Sequence, residues 1–206
     1  MKKIFLTIIT TLFLSTQALA SDPAVEFVST LADRIILDVL ESKETREKKL
    51  ETFREDFNDA LDLKSIGQFV LGRYWKTTNE KDREDFLKAF TNFTTLSWSD
   101  RFDQYNGQKI TFSVSRNAEG NQLYIDSQIM NRGSPVEVIW RVRQKDNNYK
   151  IIDIIVEGVS MAMSYRNEYT AVLQKNSGDV SKLTNELNEK AKNFKFTDHT
   201  KEVSKK

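Results

Sequence analysis

The sequence contains no cysteine and only one histidine, His199, in 206 residues. The lack of cysteine excludes disulfides, thiol nucleophiles and Cys-ligated zinc. A single histidine excludes a His-based triad and a multi-histidine metal site. The G-x-S-x-G, H-E-x-x-H, P-loop, Rossmann and EF-hand patterns are absent as well. We therefore expect a protein that is not an enzyme and that has neither a metal site nor a cofactor.

Long hydrophobic runs are absent beyond the first twenty residues. Within those twenty, two lysines precede an apolar run over 4–14, and A-L-A at 18–20 has the small-x-small pattern of a cleavage site. The run is too short to span a bilayer. We predict a signal peptide over 1–20 and a soluble, exported protein. Its mature chain starts at Ser21, which argues against a lipoprotein anchor because that anchor requires cysteine.

Neither sign of charge dominates the sequence. Cleavage after residue 20 leaves 206 − 20 = 186 residues, in which 31 − 2 = 29 Lys and Arg face 30 Asp and Glu. Such a chain lacks the basic face that nucleic-acid binding requires, and it is long enough for one domain without disulfides. We expect a monomer that binds no nucleic acid. Its single domain covers 21–194, and a flexible tail without apolar periodicity covers 195–206.

Glycine and proline interrupt regular structure, and they number only 7 and 2. The first glycine is Gly67, so residues 22–106 are predicted to be mostly helical. Asp22-Pro23 is typical of a helix start, and Gly72 is typical of a helix end. The predicted helices lie at about 22–40, 50–60, 63–71 and 78–105.

Between residues 106 and 148, turn-forming residues separate short runs in which apolar and polar side chains alternate. Alternation with a period of two indicates strands, and short turns between consecutive strands indicate hairpins. We predict a four-stranded antiparallel meander over about 108–157, followed by C-terminal helices over about 160–194. The predicted fold class is α+β, with the meander wrapped by about six helices.

The stretch 149–166, YKIIDIIVEGVSMAMSYR, joins an apolar strand to an amphipathic helix. Its β-branched residues favour a strand that is covered on both faces, and Ser160 is placed to cap the helix. Asp153 is the one charge inside the apolar block. A carboxylate with a raised pKa in such surroundings can act as a general base. The simpler interpretation is that Asp153 pairs with a neighbouring arginine or tyrosine, or caps backbone groups.

Arg73 and Arg166 both lie directly beside aromatic residues. Arg73 precedes Tyr74 and Trp75, and Arg166 follows Tyr165. A guanidinium group suits a lipid phosphate because it binds two oxygens at once. Arginines in this setting are also typical of structural ion pairs, so both interpretations stay open.

Residues 69–75 (FVLGRYW) and 153–166 (DIIVEGVSMAMSYR) resemble the MlaC family, the periplasmic phospholipid-binding proteins also known as toluene-tolerance proteins. The order of elements agrees over residues 25–190. Tyr149 and Ser164 depart from the tryptophan and asparagine that family members often carry. The resemblance implies a sheet of the cystatin-like or nuclear-transport-factor-like group, wrapped by helices that include a helical lobe.

The resemblance also implies a soluble shuttle in the periplasm. Such proteins carry phospholipid between an outer-membrane lipoprotein complex and an inner-membrane ABC transporter with its substrate-binding ring protein, which maintains outer-membrane lipid asymmetry. Moving acyl chains through water costs roughly 0.8 kcal/mol per methylene. We therefore expect a hydrophobic cavity between sheet and helices that holds phospholipid as cargo.

The residues predicted to form the lipid-binding wall come from both halves of the chain. They are Phe69, Val70, Tyr74, Trp75, Tyr105, Phe112, Ile125, Trp140, Ile154, Val156, Val159, Met163 and Tyr165. Arg73 and Arg166 are the candidate headgroup contacts, because a phosphate buried without partners is unfavourable. The alternative function is a nuclear-transport-factor-like isomerase or dehydratase that acts on a small apolar substrate with Asp153 as base. A third hypothesis is a structural adaptor whose aromatic side chains form only core.

Overall fold

The structure is a computed structural model that describes residues 22–102, 107–131, 133–146 and 148–196. The predicted signal peptide and positions 197–206 of the predicted tail lie outside these ranges. The described part forms seven α-helices and six strands. The helices are α1 (Pro23–Arg34), α2 (Arg46–Ala60), α3 (Leu63–Leu71), α4 (Arg73–Thr77), α5 (Glu80–Phe102), α6 (Met161–Lys175) and α7 (Val180–Lys192). The strands are β1 (Ile110–Phe112), β2 (Arg116–Asn117), β3 (Gln122–Asn131), β4 (Ser134–Lys145), β5 (Asn148–Val156) and β6 (Val159–Ser160).

Helix boundaries follow from capping residues that the sequence contains. At the start of α1, the Asp22 carboxylate accepts a hydrogen bond from the Ala24 amide at 3.0 Å, and the Asp62 carboxylate does the same for the Ser65 amide at the start of α3. At the end of α3, Gly72 has φ +55° and ψ −122°, a conformation that glycine adopts readily because it has no Cβ. The predicted helix over 63–71 is confirmed.

The first helix changes its geometry after Arg34 and continues as a π-helical segment, Ile35–Leu40. The Glu41 amide donates to the Ile36 carbonyl at 2.9 Å, five residues earlier. From α2, Lys49 Nζ donates to the Leu40 carbonyl at 3.2 Å. The sequence predicts an ordinary α-helix here, because the spacing of its apolar residues does not distinguish the wider π-helix from an α-helix.

The sheet is antiparallel throughout and has the order β1-β3-β4-β5-β6, with β2 paired to β3. Strands β1, β3, β4 and β5 are the predicted meander, which confirms the α+β fold. The two-residue strands β2 and β6 extend it and are not predicted. A bulge interrupts the β4–β5 ladder, since Arg141 pairs with Asp153 whereas Val142 pairs with Ile151.

One face of the sheet packs against the helices. Ile125, Trp140 and Ile154 are neighbours on β3, β4 and β5, and none is more than 6% exposed. They belong to one core cluster that includes buried residues of α1, α2, α3, α5, α6 and α7. The connection from α2 to α3 covers part of the β5 edge, because Leu61 forms a parallel bridge with Ile151. Sheet and helices therefore share a single hydrophobic interior.

Candidate functional site

The residues predicted as a lipid-binding wall fall into three groups in the structure. The buried group is Val70, Ile125, Trp140 and Ile154. The partly buried group, which packs against the same core, is Tyr74, Trp75, Phe112, Val156 and Tyr165. The exposed group is Phe69, Val159 and Met163, at 40%, 63% and 45% exposure. Tyr105 lies outside the described residues.

The inner face of the sheet carries one buried polar pair among its apolar side chains. Trp140 Nε1 donates to Ser127 Oγ at 3.0 Å, and Ser127 Oγ donates to the Val138 carbonyl at 2.9 Å. Both polar groups are satisfied inside the protein, so this part of the wall presents hydrocarbon to its surroundings. Ser127 is absent from the predicted site. Its position on the apolar face of β3 is the signal that would have identified it.

Asp153 is buried and joins β5 to the start of α6. Its carboxylate accepts hydrogen bonds from the Ile154 and Ala162 amides, both at 2.9 Å, and from Ser160 Oγ at 2.5 Å. Ser160 in turn caps α6 by accepting from the Met163 amide at 3.1 Å. The fold itself uses the oxygens of Asp153. This is the backbone-capping role of the simpler interpretation, and no feature of the structure favours the alternative of a general base.

Arg166 connects α6 to the end of α3. Its Nη1 donates to the Phe69 carbonyl at 3.1 Å, and its Cζ lies 4.7 Å from the centre of the Phe69 ring. A Cβ on Gly72 would lie 3.0 Å from Arg166 Nη2, so the guanidinium packs directly against the glycine backbone. The contact satisfies a carbonyl in the last turn of α3, where a cation is also favoured by the helix dipole. Arg166 therefore has a structural role whether or not it also meets a headgroup.

Arg73, the other candidate headgroup contact, lies along Tyr74 at the surface. Its Nη2 donates to the Tyr74 hydroxyl at 2.9 Å, and its Cζ lies 4.9 Å from the ring centre. On the other side of the ring is the turn between α6 and α7, where a Cβ on Gly178 would lie 3.0 Å from Tyr74. Arg166 thus contacts the segment 69–75 from α6, whereas Arg73 belongs to that segment and contacts its neighbour Tyr74.

Two tyrosines of α6 form an aromatic cluster with α5. Tyr165 and Tyr169 stack at 5.8 Å, and the Phe90 ring meets both edge-on. Burial raises the pKa of Tyr165. Burial also raises the pKa of Tyr169 far above its usual value, and its hydroxyl has no partner among the described residues. Tyr169 is missing from the predicted site, although its spacing of four from Tyr165 marks a shared helix face.

Two pockets open on the helical side of the described structure. One has a volume of about 270 Å³ and lies between the π-helical segment, α2 and α5, with Val39, Leu50, Phe53, Ser99 and Phe196 in its lining. The other has a volume of about 400 Å³ and is lined by residues of α2, α3 and α5, among them Arg54, Lys64 and Leu87. Neither pocket is lined by a residue of the predicted wall. The cavity expected between sheet and helices therefore stays a prediction.

In the part of the chain that the structure describes, no group of three or more His, Cys, Asp and Glu side chains is arranged to hold a metal ion. Among the same residues, every helix falls short of the length or the apolar character that crossing a bilayer requires.

The fold matches that of a lipid-binding protein of known structure. The phospholipid-binding protein from Ralstonia solanacearum, solved in complex with a phospholipid, superposes with a TM-score of 0.71. The match covers 82% of this chain and 96% of the other, at 21% sequence identity. The chain thus shares its α+β fold with a phospholipid-binding protein.

Sequence comparison identifies the family. The family model described as MlaC protein matches residues 29–189, and the chain therefore belongs to the MlaC family. It is 27% identical over 186 residues to the intermembrane phospholipid transport system binding protein MlaC of Haemophilus influenzae, covering 85% of this chain and 86% of that one. It is 19% identical over 151 residues to the toluene tolerance protein ttg2D of Pseudomonas putida, covering 70% of each. The resemblance seen at 69–75 and 153–166 is confirmed.

Proposed function

We propose that the protein is a periplasmic phospholipid carrier that performs no covalent chemistry. The observation that carries this proposal is the family match over residues 29–189. It is supported by the name of the Haemophilus relative, which is a binding protein of intermembrane phospholipid transport, and by the phospholipid held in the Ralstonia structure. The predicted signal peptide over 1–20 supports the periplasmic location.

The sheet and helices offer a suitable interior for acyl chains. The inner face carries Phe112, Ile125, Ile154 and Val156, all packed against the core, and its one polar pair is internally bonded. Because these side chains contact the helices closely, cargo enters only when sheet and helices separate. Acyl chains then replace the contacts between sheet and helices with other apolar contacts. The apolar side chains therefore stay out of water when cargo is bound.

We further propose that the carrier receives and delivers its cargo through protein partners. The outer-membrane lipoprotein complex and the inner-membrane ABC transporter with its ring protein are the partners that the family resemblance implies. The sequence contains no nucleotide-binding motif, so the carrier has no energy source of its own. In this proposal a docked partner opens the interior and determines whether lipid enters or leaves.

Native mass spectrometry of the mature chain, purified gently from intact cells, tests the carrier function. We expect the protein to retain phospholipid, with a mass increment that chloroform extraction removes and that lipid analysis identifies. Protein that is lipid-free after such handling, and that takes up no phospholipid from vesicles, would contradict the proposal.

A pair of variants on adjacent positions of β5 tests where the cargo lies. Val156 pairs with buried Val138 on the inner face, whereas Ile155 pairs with Ile139 on the opposite face. Val156→Glu places a charge toward the acyl chains, and we expect it to lower lipid occupancy by about tenfold. Ile155→Glu is the matched control, with occupancy close to that of the unchanged chain. Equal occupancy in both variants would remove the inner face from the site.

A further inference from the structure

The pocket beside the π-helical segment leads toward the interior that the proposed cargo occupies. Its lining runs from the partly exposed Leu40 and Leu50 to a floor of buried Val39 and Phe53. Phe53 is fully buried, and Val39 is only 6% exposed. The pocket therefore begins at the surface and ends at core side chains, unlike a shallow groove.

A series of aromatic rings continues from this floor. Phe53 stacks on Phe57 at 5.2 Å, and Phe57 stacks on Trp98 at 6.2 Å. All three belong to the same core cluster as Ile125 and Ile154 of the sheet. An acyl chain that passes Phe53 thus stays in contact with apolar surface until it reaches the inner face of the sheet.

The rim of the pocket is charged, which suits the other end of a phospholipid. Arg46 and Lys49 contribute two cations, and Glu44 contributes one carboxylate. A phosphate favours the two cations, because Arg and Lys are the usual partners of phosphate oxygens. Lys49 also donates to the carbonyl that ends the π-helical segment. A headgroup that attracts Lys49 would therefore loosen the segment that forms one side of the opening.

One side chain partly covers the pocket. Phe196 lies in its lining and under the guanidinium of Arg46, whose Cζ is 4.7 Å from the ring centre. Phe196 also contacts Phe194 edge-on, and Phe194 contacts Phe93 of α5 in the same way. Although Phe196 falls in the predicted tail, these contacts place it against α2. It follows the last helix, so its displacement breaks no regular secondary structure.

We propose that this pocket is the portal through which a phospholipid acyl chain enters the protein, and that Phe196 is its flap. The proposal rests on the proposed carrier function and adds the route. π-Helical turns are uncommon and occur often at functional sites, and here the wider helix forms one wall of the opening. The phosphate stays at the cationic rim while the chain passes Phe53.

The second pocket provides a comparison within the same molecule. It is larger, but Leu87 is its one apolar side chain, and the rest of its lining is Arg54, Lys64, Lys88, Thr91, Asn92 and Thr95. Its lining contains no aromatic side chain, so this pocket does not continue into the series of rings that begins at Phe53. Substitutions at Leu87 are therefore matched controls for substitutions at the portal.

Uptake kinetics test the portal. Vesicles of phosphatidylethanolamine and phosphatidylglycerol that contain a self-quenched fluorescent phospholipid are mixed with the lipid-stripped full mature chain, and dequenching reports transfer. We expect Leu50→Trp, which narrows the opening, to slow the initial rate by about fivefold or more, while the final occupancy stays unchanged. Leu87→Trp should take up lipid at the rate of the unchanged chain.

A second variant opens the pocket instead of narrowing it. Phe196→Ala removes the flap without touching a helix, and we expect uptake to become about threefold faster, because a closing element no longer limits entry. If circular dichroism shows that Leu50→Trp does not fold, the uptake rate of Phe196→Ala alone tests the portal. Uptake at the rate of the unchanged chain would then overturn it.

The outcomes separate the portal from the carrier function. If the unchanged chain takes up lipid and the portal variants do so at the same rate, the portal is overturned and the carrier function stands. Equal slowing by Leu50→Trp and Leu87→Trp also overturns the portal. If the unchanged chain takes up no lipid, both proposals fall together.

Discussion

Two regions of the helical layer differ in how their polar groups are used. The seam around the start of α6 contains Gly72, Asp153 and Arg166, whose contacts join α6 to β5 and to the end of α3. The π-helical corner contains Val39 and Leu50, and it surrounds open space instead of closing it. The seam is the region that the sequence motifs mark. The corner has no motif, yet it holds a pocket that reaches the core.

The difference shows that the recognisable motifs of this protein mark contacts that require particular residue types. In the seam, the Asp153 carboxylate with its three donors joins α6 to β5, and Arg166 beside Gly72 joins α6 to the end of α3. A pocket needs only apolar side chains of suitable size, which many residue combinations supply. We therefore expect substitutions in the seam to lower the free energy of unfolding. We expect substitutions in the corner to change stability less and, in the proposed function, to change the passage of cargo.

The largest effect is expected from Asp153→Ala. The change leaves the Ile154 and Ala162 amides and the Ser160 hydroxyl without their acceptor inside the protein. We expect the free energy of unfolding to fall by about 4 kcal/mol, since each unsatisfied buried group costs about 1–3 kcal/mol. Urea denaturation followed by circular dichroism measures it.

Asp153→Asn is the control for that variant. One oxygen of the carboxylate accepts from both amides, and an asparagine keeps this oxygen, so a loss of about 1 kcal/mol is expected. Lipid occupancy should stay the same in Asp153→Asn, because a carrier needs no base. If Asp153→Ala lowers the free energy of unfolding no more than Asp153→Asn does, the hydrogen bonds of Asp153 are not what holds α6 to the sheet.

A smaller effect is expected from Gly72→Ala. The positive φ of Gly72 is unfavourable for alanine, and the new Cβ would meet the Arg166 guanidinium at 3.0 Å. We expect a loss of about 2–3 kcal/mol. Gly120→Ala is the matched control, because Gly120 also has a positive φ of +66° but has nothing within 4 Å of its Cβ position. Its free energy of unfolding is expected to fall by about 1 kcal/mol. Equal losses at both sites would show that the contact with Arg166 adds nothing to the cost of the positive φ.

The smallest effect at neutral pH is expected from Tyr169→Phe. The Tyr169 hydroxyl has no described partner, so its removal should change stability at pH 7 by less than about 1 kcal/mol. Tyr165→Phe is the matched variant on the stacked partner ring, and its effect at pH 7 should be of the same size. A loss of more than about 2 kcal/mol in Tyr169→Phe would show that the Tyr169 hydroxyl is hydrogen-bonded and would contradict this assignment.

The same variant has a distinct alkaline signature. The pKa of Tyr169 is raised in the folded state, so its contribution is complete below the unfolded pKa of about 10 and is lost as the pH rises above it. The loss is about 1.4 kcal/mol per pH unit for each such tyrosine. Above pH 10, Tyr169→Phe should lose stability less steeply than the unchanged chain in urea titrations.

Local rules account for the parts of the fold that the sequence predicts. Asp22 and Asp62 are caps that precede helices, and Gly72 ends α3, because the carboxylate or the missing Cβ acts within a few residues. The meander follows from alternation and turn residues in the same way. Burial of Val70, Ile125 and Ile154 is predicted too, since each lies on an apolar face of its own element.

Contacts between distant elements account for what the sequence does not predict. Ser127 is polar by type, yet it lies inside because Trp140 on the next strand donates to it. Phe69 and Met163 are apolar by type, yet they are exposed, at the end of α3 and the start of α6. The carbonyl that ends the π-helical segment accepts a hydrogen bond from Lys49 of another helix. For Ser127 and for this segment the contact comes from a neighbouring element, and no period or cap in the sequence reveals it.

The bridge between Leu61 and Ile151 bears on how readily copies of the chain associate through their sheets. A bare strand edge invites another chain to add to the sheet, which is a route to fibrils. Along β5 that edge is occupied first by the α2–α3 connection and then by β6, and the strand at the other end of the sheet order, β1, has only three residues. Copies of the chain therefore find few bare strand edges on which to add to one another's sheets.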